Sequence, residues 1–231
     1  GLQRYCLWIE DENLEEAMSI NAVRTRIEAV KEMRLSSRDK SANDMAVRSH
    51  QMREMNIGKT QAIAMPCVSS ENREYLPVGL IDNRSTVTNL CFALFDSPKW
   101  GMALLASRLH LVWIATVCGK MKTDFRYSNT MGWNTFPLPK LTEKNKQDLT
   151  RCAEGILLAR EAHFPATIAD LYDPENMPED LRRAHDRNDE VLERIYIGRR
   201  FKNDTERLEK LFDLYTQMTT ASSSDKARKV N

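Results

Sequence analysis

The stretch GMALLASRLHLVWIATVCG, residues 101–119, is the most apolar part of the chain and decides its fold. It is nearly long enough to span a bilayer, but Arg108 and His110 stand in its middle. A charged residue at the centre of a membrane helix costs roughly 2.5–3.5 kcal/mol on insertion scales. Gly119 suits the end of a helix. The stretch therefore predicts one helix, buried in a soluble domain.

Shorter patterned segments precede this helix. Residues 13–34 repeat apolar side chains at helical spacing and predict an amphipathic helix with a charged outer face. Further along, short apolar runs broken by turn residues predict three strands, at 63–70, 73–81 and 86–95. Pro66 would place part of the first strand at a sheet edge or a bulge.

Three amphipathic helical patterns follow this region, beginning at Thr142, Pro178 and Thr205. The segment FPLP, residues 136–139, separates them from the earlier elements. We therefore expect an α+β fold that is divided into two domains. The expected parts are a mixed sheet-and-helix domain over 1–139, a small all-α domain over 140–220 and a disordered tail over 221–231.

Composition excludes several broad classes of protein. A chain of 231 residues that is 42% apolar can bury a real core, which excludes wholesale disorder. Eight glycines and eight prolines exclude a collagen-like polymer. The five cysteines are scattered without a CxxC pair, and no secretory signal is visible, so we expect a reducing, cytoplasmic setting.

The sequence offers no complete active site. It contains neither the glycine-rich GxGxxG nor GxxxxGK[ST] phosphate-binding motif, and no GxSxG nucleophile motif. Its four histidines lack cysteine or carboxylate neighbours at zinc spacing, and His185 is expected to have a packing or surface role. These observations favour a binding module over an enzyme that acts by itself.

Positive charge is concentrated in one region. The total net charge is only +1, yet residues 99–140 hold six basic residues and a single acidic one, Asp124. Such a cluster is either an ordinary solvated face or a surface that meets a polyanion, and composition alone leaves both open.

The segment KMKTDFRYS, residues 120–128, has a more specific pattern. In an extended strand, Lys120, Lys122, Asp124 and Arg126 would share one face. A lysine can donate to O6 and N7 of guanine, and an aspartate can accept from the N4 amino group of the paired cytosine. Lys122 and Asp124 would then read both halves of one G·C pair. The alternative is a surface ion pair between them, worth about 0–1 kcal/mol.

Four segments together resemble one protein family: RYCLWIED, PCVSSENREYLPVGLI, VCGKMKTDFRYSNTMGWNTFPLPKLT and ADLYDPENMPEDLRRAHDRND. They are similar to the MmeI-like group of single-chain restriction–modification enzymes. Such enzymes join an endonuclease, an adenine-N6 DNA methyltransferase and a target-recognition domain. The resemblance is collinear over residues 1–219 and implies the target-recognition domain followed by the helical C-terminal domain.

The resemblance also implies particular contacts with DNA. Two paired recognition positions before the RYS motif match Lys122 and Asp124. In the family, Lys and Asp at these positions are associated with a G at the corresponding position of the DNA target, whereas Glu and Arg are associated with a C. A third position matches Arg126, with a partner near Asn89. The predicted base-reading residues are Lys122, Asp124, Arg126, Asn89, Leu90 and Glu71. The predicted phosphate contacts are Lys120, Arg73 and Ser128. For Glu71 and Arg73, an ion pair within the turn is the alternative.

The expected partners are double-stranded DNA and the parent's own upstream methyltransferase domain, with no membrane. No cofactor is expected in this segment, because the resemblance places S-adenosylmethionine, and Mg²⁺ for any nuclease, in the other domains of a bacterial, cytoplasmic parent. Two different classes stay open: a helical protein-interaction scaffold that does not contact nucleic acid, and a stand-alone RNA-binding protein. The latter would need exposed aromatic residues on a sheet.

Overall fold

The computed structural model describes residues 4–228, with side chains through residue 220. Contacts between residues divide the chain after Asn56 into two compact units. The first unit is built from short helices. Its elements are a 3-10 turn (Asp11–Asn13), α1 (Leu14–Ser19), α2 (Asn21–Leu35), α3 (Lys40–Asp44) and a second 3-10 turn (Met45–Arg48).

The single helix predicted for residues 13–34 is wrong, because the chain breaks at Ile20. The Ser19 hydroxyl bonds back to the Glu16 carbonyl at 2.6 Å, and Ile20 is extended with ψ 108°. A hydroxyl that satisfies a local carbonyl competes with the helical ladder, which ends α1 there. Only Ile27 of α2 is buried.

The second unit begins with two small antiparallel sheets. Its first four strands are β1 (Gln61–Pro66), β2 (Val68–Ser69), β3 (Gly79–Asp82) and β4 (Cys91–Phe95). The first sheet has the order β3-β1-β4, and β2 belongs to the second sheet. Strand β3 covers only the end of the predicted strand 73–81. Pro66 pairs with Cys91 on one side and lies beyond the last residue paired with β3, so it occupies an edge position as predicted.

The apolar stretch at residues 101–119 forms two helices and not the one predicted. These are α4 (Lys99–Leu105) and α5 (Arg108–Val117), which are bent by 58°. Ser107 causes the break, since it is extended and its hydroxyl accepts from the backbone N of His110 as an N-cap. Both helices are largely buried, as predicted. Within the described residues no single helix could cross a membrane, and only this bent pair passes on length and composition.

A hairpin and four helices complete the unit. The remaining elements are β5 (Gly119–Met121), β6 (Asp124–Arg126), a π-helical turn (Asn129–Trp133), α6 (Glu143–Glu161), α7 (Ile168–Leu171), α8 (Glu179–Ile197) and α9 (Asp204–Arg228). The three predicted helices are confirmed as α6, α8 and α9. Thr142 starts α6 through a capping box with Asn145. The α+β fold class is likewise confirmed.

One hydrophobic core runs through the second unit. Its buried side chains come from β1, α4 and α5, and also from α6, α8 and α9, so the core is continuous across residues 136–139. The division into domains at that segment stays a prediction. Helix α9 includes the first eight residues of the predicted tail 221–231, and residues 229–231 lie outside those described.

Candidate nucleic-acid interface

The segment predicted to carry base-reading residues is a hairpin and not one extended strand. Met121 pairs with Asp124, so Lys122 and Thr123 form a two-residue loop between β5 and β6. Lys122 has a φ of 58°, which is uncommon for a residue with a side chain. The predicted common face of four residues is therefore wrong, because the chain folds back at Lys122.

The hairpin has two distinct faces. Residues directly opposite each other in an antiparallel pair share a face, and successive residues alternate. Lys120, Phe125 and Ser69 of β2 lie on the inner face, where Phe125 and Ser69 are buried. The outer face carries the side chains of Met121, Asp124 and Arg126, with Gly119 opposite Arg126.

Three ionic side chains of this hairpin have no partner. In the part of the chain with described side chains, the side chains of Lys122, Asp124 and Arg126 make no hydrogen bond and no ion pair, and each residue is at least partly exposed. The surface ion pair between Lys122 and Asp124, left open by the sequence, is therefore not formed. Unpaired charges at a hairpin tip are free to meet an external ligand.

The inner face is tied to the turn that follows β2. Lys120 Nζ lies 3.4 Å from Glu71 Oε2 and 5.8 Å from the centre of the Phe125 ring. Arg73 Nη1 donates to Ser69 Oγ at 3.4 Å. Glu71 and Arg73 thus bond to other residues and not to each other, which contradicts the alternative of an ion pair within the turn. The structure brings two predicted site residues, Glu71 and Lys120, into direct contact.

Asn89 and Leu90 are connected to the segment that carries Arg126 through one residue that the sequence did not single out, Cys67. The backbone N of Cys67 donates to the Leu90 carbonyl at 2.9 Å, and its own carbonyl accepts from the N of Tyr127 at 2.8 Å. The Cys67 thiol also faces the Asn89 carbonyl at 3.6 Å, and burial raises its pKa. Cys67 therefore links both sheets and places the predicted third reading position in one neighbourhood.

A buried aromatic cluster supports the base of the hairpin. His110 Nε2 lies 3.1 Å from the Tyr127 hydroxyl, and the His110 ring packs edge-on against Phe136. Burial lowers the pKa of His110 to about 3, so the ring is neutral. Ser128 caps the following π-helical turn by accepting from the N of Met131 at 3.3 Å. Tyr127 is thus a core residue, and it follows Arg126 directly in the chain.

The basic cluster of residues 99–140 separates into paired and unpaired members. Lys99 pairs with Glu154 at 2.7 Å, and Arg108 pairs with Asp204 at 2.6 Å. Lys120 is held by Glu71. The bases without an ion pair to any described residue are Lys122, Arg126 and Lys140. The free positive charge is therefore concentrated at the hairpin and at the start of the helical region.

A second buried polar network lies among the helices. Arg160 donates to the Tyr172 hydroxyl at 2.9 Å and to the Val78 carbonyl at 2.6 Å. His185 Nε2 lies 2.6 Å from the same hydroxyl, and its Nδ1 lies 3.1 Å from the Ala106 carbonyl. Burial lowers the pKa of His185 to about 3. The predicted packing role of His185 is confirmed, and across residues 4–220 no cluster of three or more His, Cys, Asp or Glu is arranged to hold a metal.

Two family models match consecutive parts of the chain. Residues 1–140 match the MmeI target recognition domain, and residues 141–222 match the MmeI C-terminal domain. DNA methyltransferase A of Bacillus subtilis (strain 168) is 38% identical over 219 residues, which are 95% of this chain and 25% of that protein.

A solved structure is also similar to this chain. It is that of the Type IIL restriction-modification enzyme MmeI in complex with DNA, at a TM-score of 0.86 and 30% identity. The match covers 93% of this chain and 29% of that one, so the chain spans a quarter of the first relative and 29% of the second. The chain therefore belongs to the MmeI family, matching its target recognition domain and its C-terminal domain.

Proposed function

We propose that this chain is the module with which a restriction–modification enzyme reads the sequence of duplex DNA. The observation that carries the proposal is the β5–β6 hairpin, whose exposed tip and outer face hold three ionic side chains without internal partners. The major groove of B-DNA admits a two-stranded ribbon of this kind. A solved relative bound to DNA and a relative that is a DNA methyltransferase support the same function.

Each hairpin residue has a distinct role in this proposal. Lys122 donates to O6 and N7 of a guanine, and Asp124 accepts from N4 of the paired cytosine. Arg126 reads a neighbouring position together with Asn89 and Leu90, to which Cys67 connects its strand. Asp124 and Arg126 lie on β6, the central strand of the β2-β6-β5 sheet, so their side chains are presented in a fixed register.

The remaining predicted residues hold the protein on the DNA. Arg73 and Ser128 contact phosphate oxygens, which position the domain without reading sequence. Lys120 does the same after it exchanges the Glu71 carboxylate for a phosphate. Glu71, once released, is free to accept from a cytosine amino group.

The whole parent protein is proposed to be an adenine-N6 DNA methyltransferase that acts in the bacterial cytoplasm. Its S-adenosylmethionine, and Mg²⁺ for any nuclease, bind in regions other than this chain. The upstream methyltransferase domain is then the partner to which the recognised DNA is delivered. This part rests on the B. subtilis relative, of which this chain matches one quarter.

The test exchanges the reading pair in the full-length parent. Lys122→Glu with Asp124→Arg reverses the donor and acceptor, so the preferred base at one target position changes from G to C. Sequencing that detects methylated adenines in the host genome measures the target before and after. A wrong base at one position costs roughly 1–3 kcal/mol of binding free energy, or about 5- to 150-fold in affinity.

A matched control separates base reading from a general effect of moving charge. Lys210→Glu with Asp213→Arg on α9 also leaves the net charge unchanged, and neither residue has an ion pair to any described residue. We expect this variant to keep the original target. An unchanged target after the hairpin exchange contradicts the proposed reading pair.

A further inference from the structure

Met121 is an exposed apolar residue on the outer face of the hairpin, which also carries Val68 of β2 opposite Arg126. It is the last residue of β5, lies directly opposite Asp124, and shares the outer face with Asp124 and Arg126. Its side chain is 47% exposed, so it does not contribute to the core. Its neighbour on β5, Lys120, projects from the opposite, inner face. Single exposed apolar side chains are common on protein surfaces, so what distinguishes Met121 is its position directly opposite Asp124 on the outer face of the hairpin.

The chemistry of the major groove supplies an apolar counterpart. Every base presents hydrogen-bond donors or acceptors there, and a pyrimidine with a C5-methyl group presents that apolar group in addition. Lys122, Asp124 and Arg126 can only donate or accept, so none of them detects a methyl group. Methionine, unbranched and polarizable, adapts its shape to a small apolar target.

The geometry places this contact beside the G·C pair. Directly opposed residues of an antiparallel pair have Cβ atoms about 4.5–5.5 Å apart, and successive base pairs are stacked about 3.4 Å apart. When Asp124 reaches a cytosine, Met121 is thus opposite the same or the adjacent step of the duplex. Gly119 leaves the next place on this face empty, so Met121 has space to move toward the groove.

We infer that Met121 is a further specificity-determining residue, which contacts the C5-methyl group of a pyrimidine in the base pair adjacent to that read by Lys122 and Asp124. The methyl group belongs to thymine or to 5-methylcytosine, which present the same apolar feature. This inference rests on the proposed function and extends it to a contact that involves no hydrogen bond.

The experiment changes single methyl groups in the DNA. Duplexes that contain the parent's methylation target are made with each thymine replaced by uracil, one at a time, and with each cytosine replaced by 5-methylcytosine. Binding of the full-length parent is measured for every duplex. At one position we expect the methyl group to strengthen binding about fourfold, which corresponds to the burial of one methyl group.

Three variants then test whether Met121 makes that contact. Met121→Ala is expected to abolish the fourfold difference, and Met121→Leu to keep most of it. Met33→Ala, which removes a methionine of similar exposure from α2, is expected to leave the difference intact. The inference is overturned if no position shows a methyl effect, or if the effect persists in Met121→Ala.

This outcome is separable from failure of the proposed function. If the exchange at Lys122 and Asp124 changes the target while Met121→Ala retains every methyl effect, only the inference on Met121 fails. If the exchange at Lys122 and Asp124 leaves the target unchanged, the proposed role of the hairpin in base reading is refuted, regardless of the results for the Met121 variants.

Discussion

Replacing Gly132 with alanine should lower the stability of the chain, whereas replacing Gly155 with alanine should raise it. Gly132 lies in the π-helical turn after the hairpin, and a Cβ added there would be 3.1 Å from Ile114 Cγ2 and 3.2 Å from Cys118 Sγ. The ring of Tyr127 is 3.3 Å away. All three neighbours are at least partly buried, so none can move away freely. Gly155 on α6 has no atom within 4 Å of an added Cβ.

The expected magnitudes follow from these distances. Overpacking a core typically costs about 1–3 kcal/mol, against which a helical alanine gains about 0.5–1 kcal/mol over glycine. Taking the midpoints of these two ranges, Gly132→Ala should lower the free energy of unfolding by about 1.3 kcal/mol. Gly155→Ala should raise it by about 0.5–1 kcal/mol, because only the backbone contribution remains.

Urea denaturation of the chain, followed by the fluorescence of the buried Trp113, measures both variants. With a slope of about 2 kcal/mol per molar urea, the two midpoints should differ by about 1 M. Gly132→Ala also moves Tyr127, so in the parent we expect weaker reading by the adjacent Arg126. A Gly132→Ala variant as stable as the original chain would refute the close packing under the hairpin.

Acidification and charge removal test other parts of the structure. In the unfolded chain His110 and His185 take up protons near pH 6.5, whereas in the folded chain burial lowers their pKa values to about 3. Asp189 has the opposite effect, because burial raises its pKa to about 7 and the folded chain therefore holds one proton more there. Between about pH 6 and 4.5 these three groups together bind one proton more in the unfolded chain, which lowers stability by about 1.4 kcal/mol per pH unit as pH decreases. Asp189→Asn should steepen this slope by about the same amount, and a flat profile over this range would contradict the prediction. Glu71→Gln should raise the affinity for non-specific duplex DNA about two- to fivefold at low salt, because Lys120 no longer has to leave an exposed ion pair. An unchanged or lower affinity in a binding titration would exclude the proposed exchange of the Glu71 carboxylate for a phosphate.

Local signals predicted the helical region well and the hairpin poorly. Thr142 is followed at the right distance by Asn145, so the start of α6 was visible in the sequence. Ser107 lies inside an apolar run, where it looks like one polar residue of a longer helix, and its role as an N-cap appears only once the chain bends. The alternation from Lys120 to Arg126 is the same for a continuous strand and for a folded-back one. No glycine or asparagine marks the turn.

The neighbourhood of the site depended on long-range contacts. Asn89 lies 37 residues before Arg126, and no periodicity connects them. Cys67 brings the two segments together through backbone hydrogen bonds, which any residue except proline can make at its amide group, so its identity gave no signal. The family resemblance alone indicated that these positions act together.

The left-handed backbone at Lys122 limits how this surface can diversify. A side chain branched at Cβ is strained at φ 58°, so valine, isoleucine and threonine are disfavoured at this position. Unbranched side chains such as lysine and glutamate are better tolerated, and these carry opposite hydrogen-bonding capacities. A new target can then arise when one long polar side chain replaces another while the backbone of the loop stays the same. Few residue types are therefore suitable at this position, but a change of specificity does not require a change of the main chain.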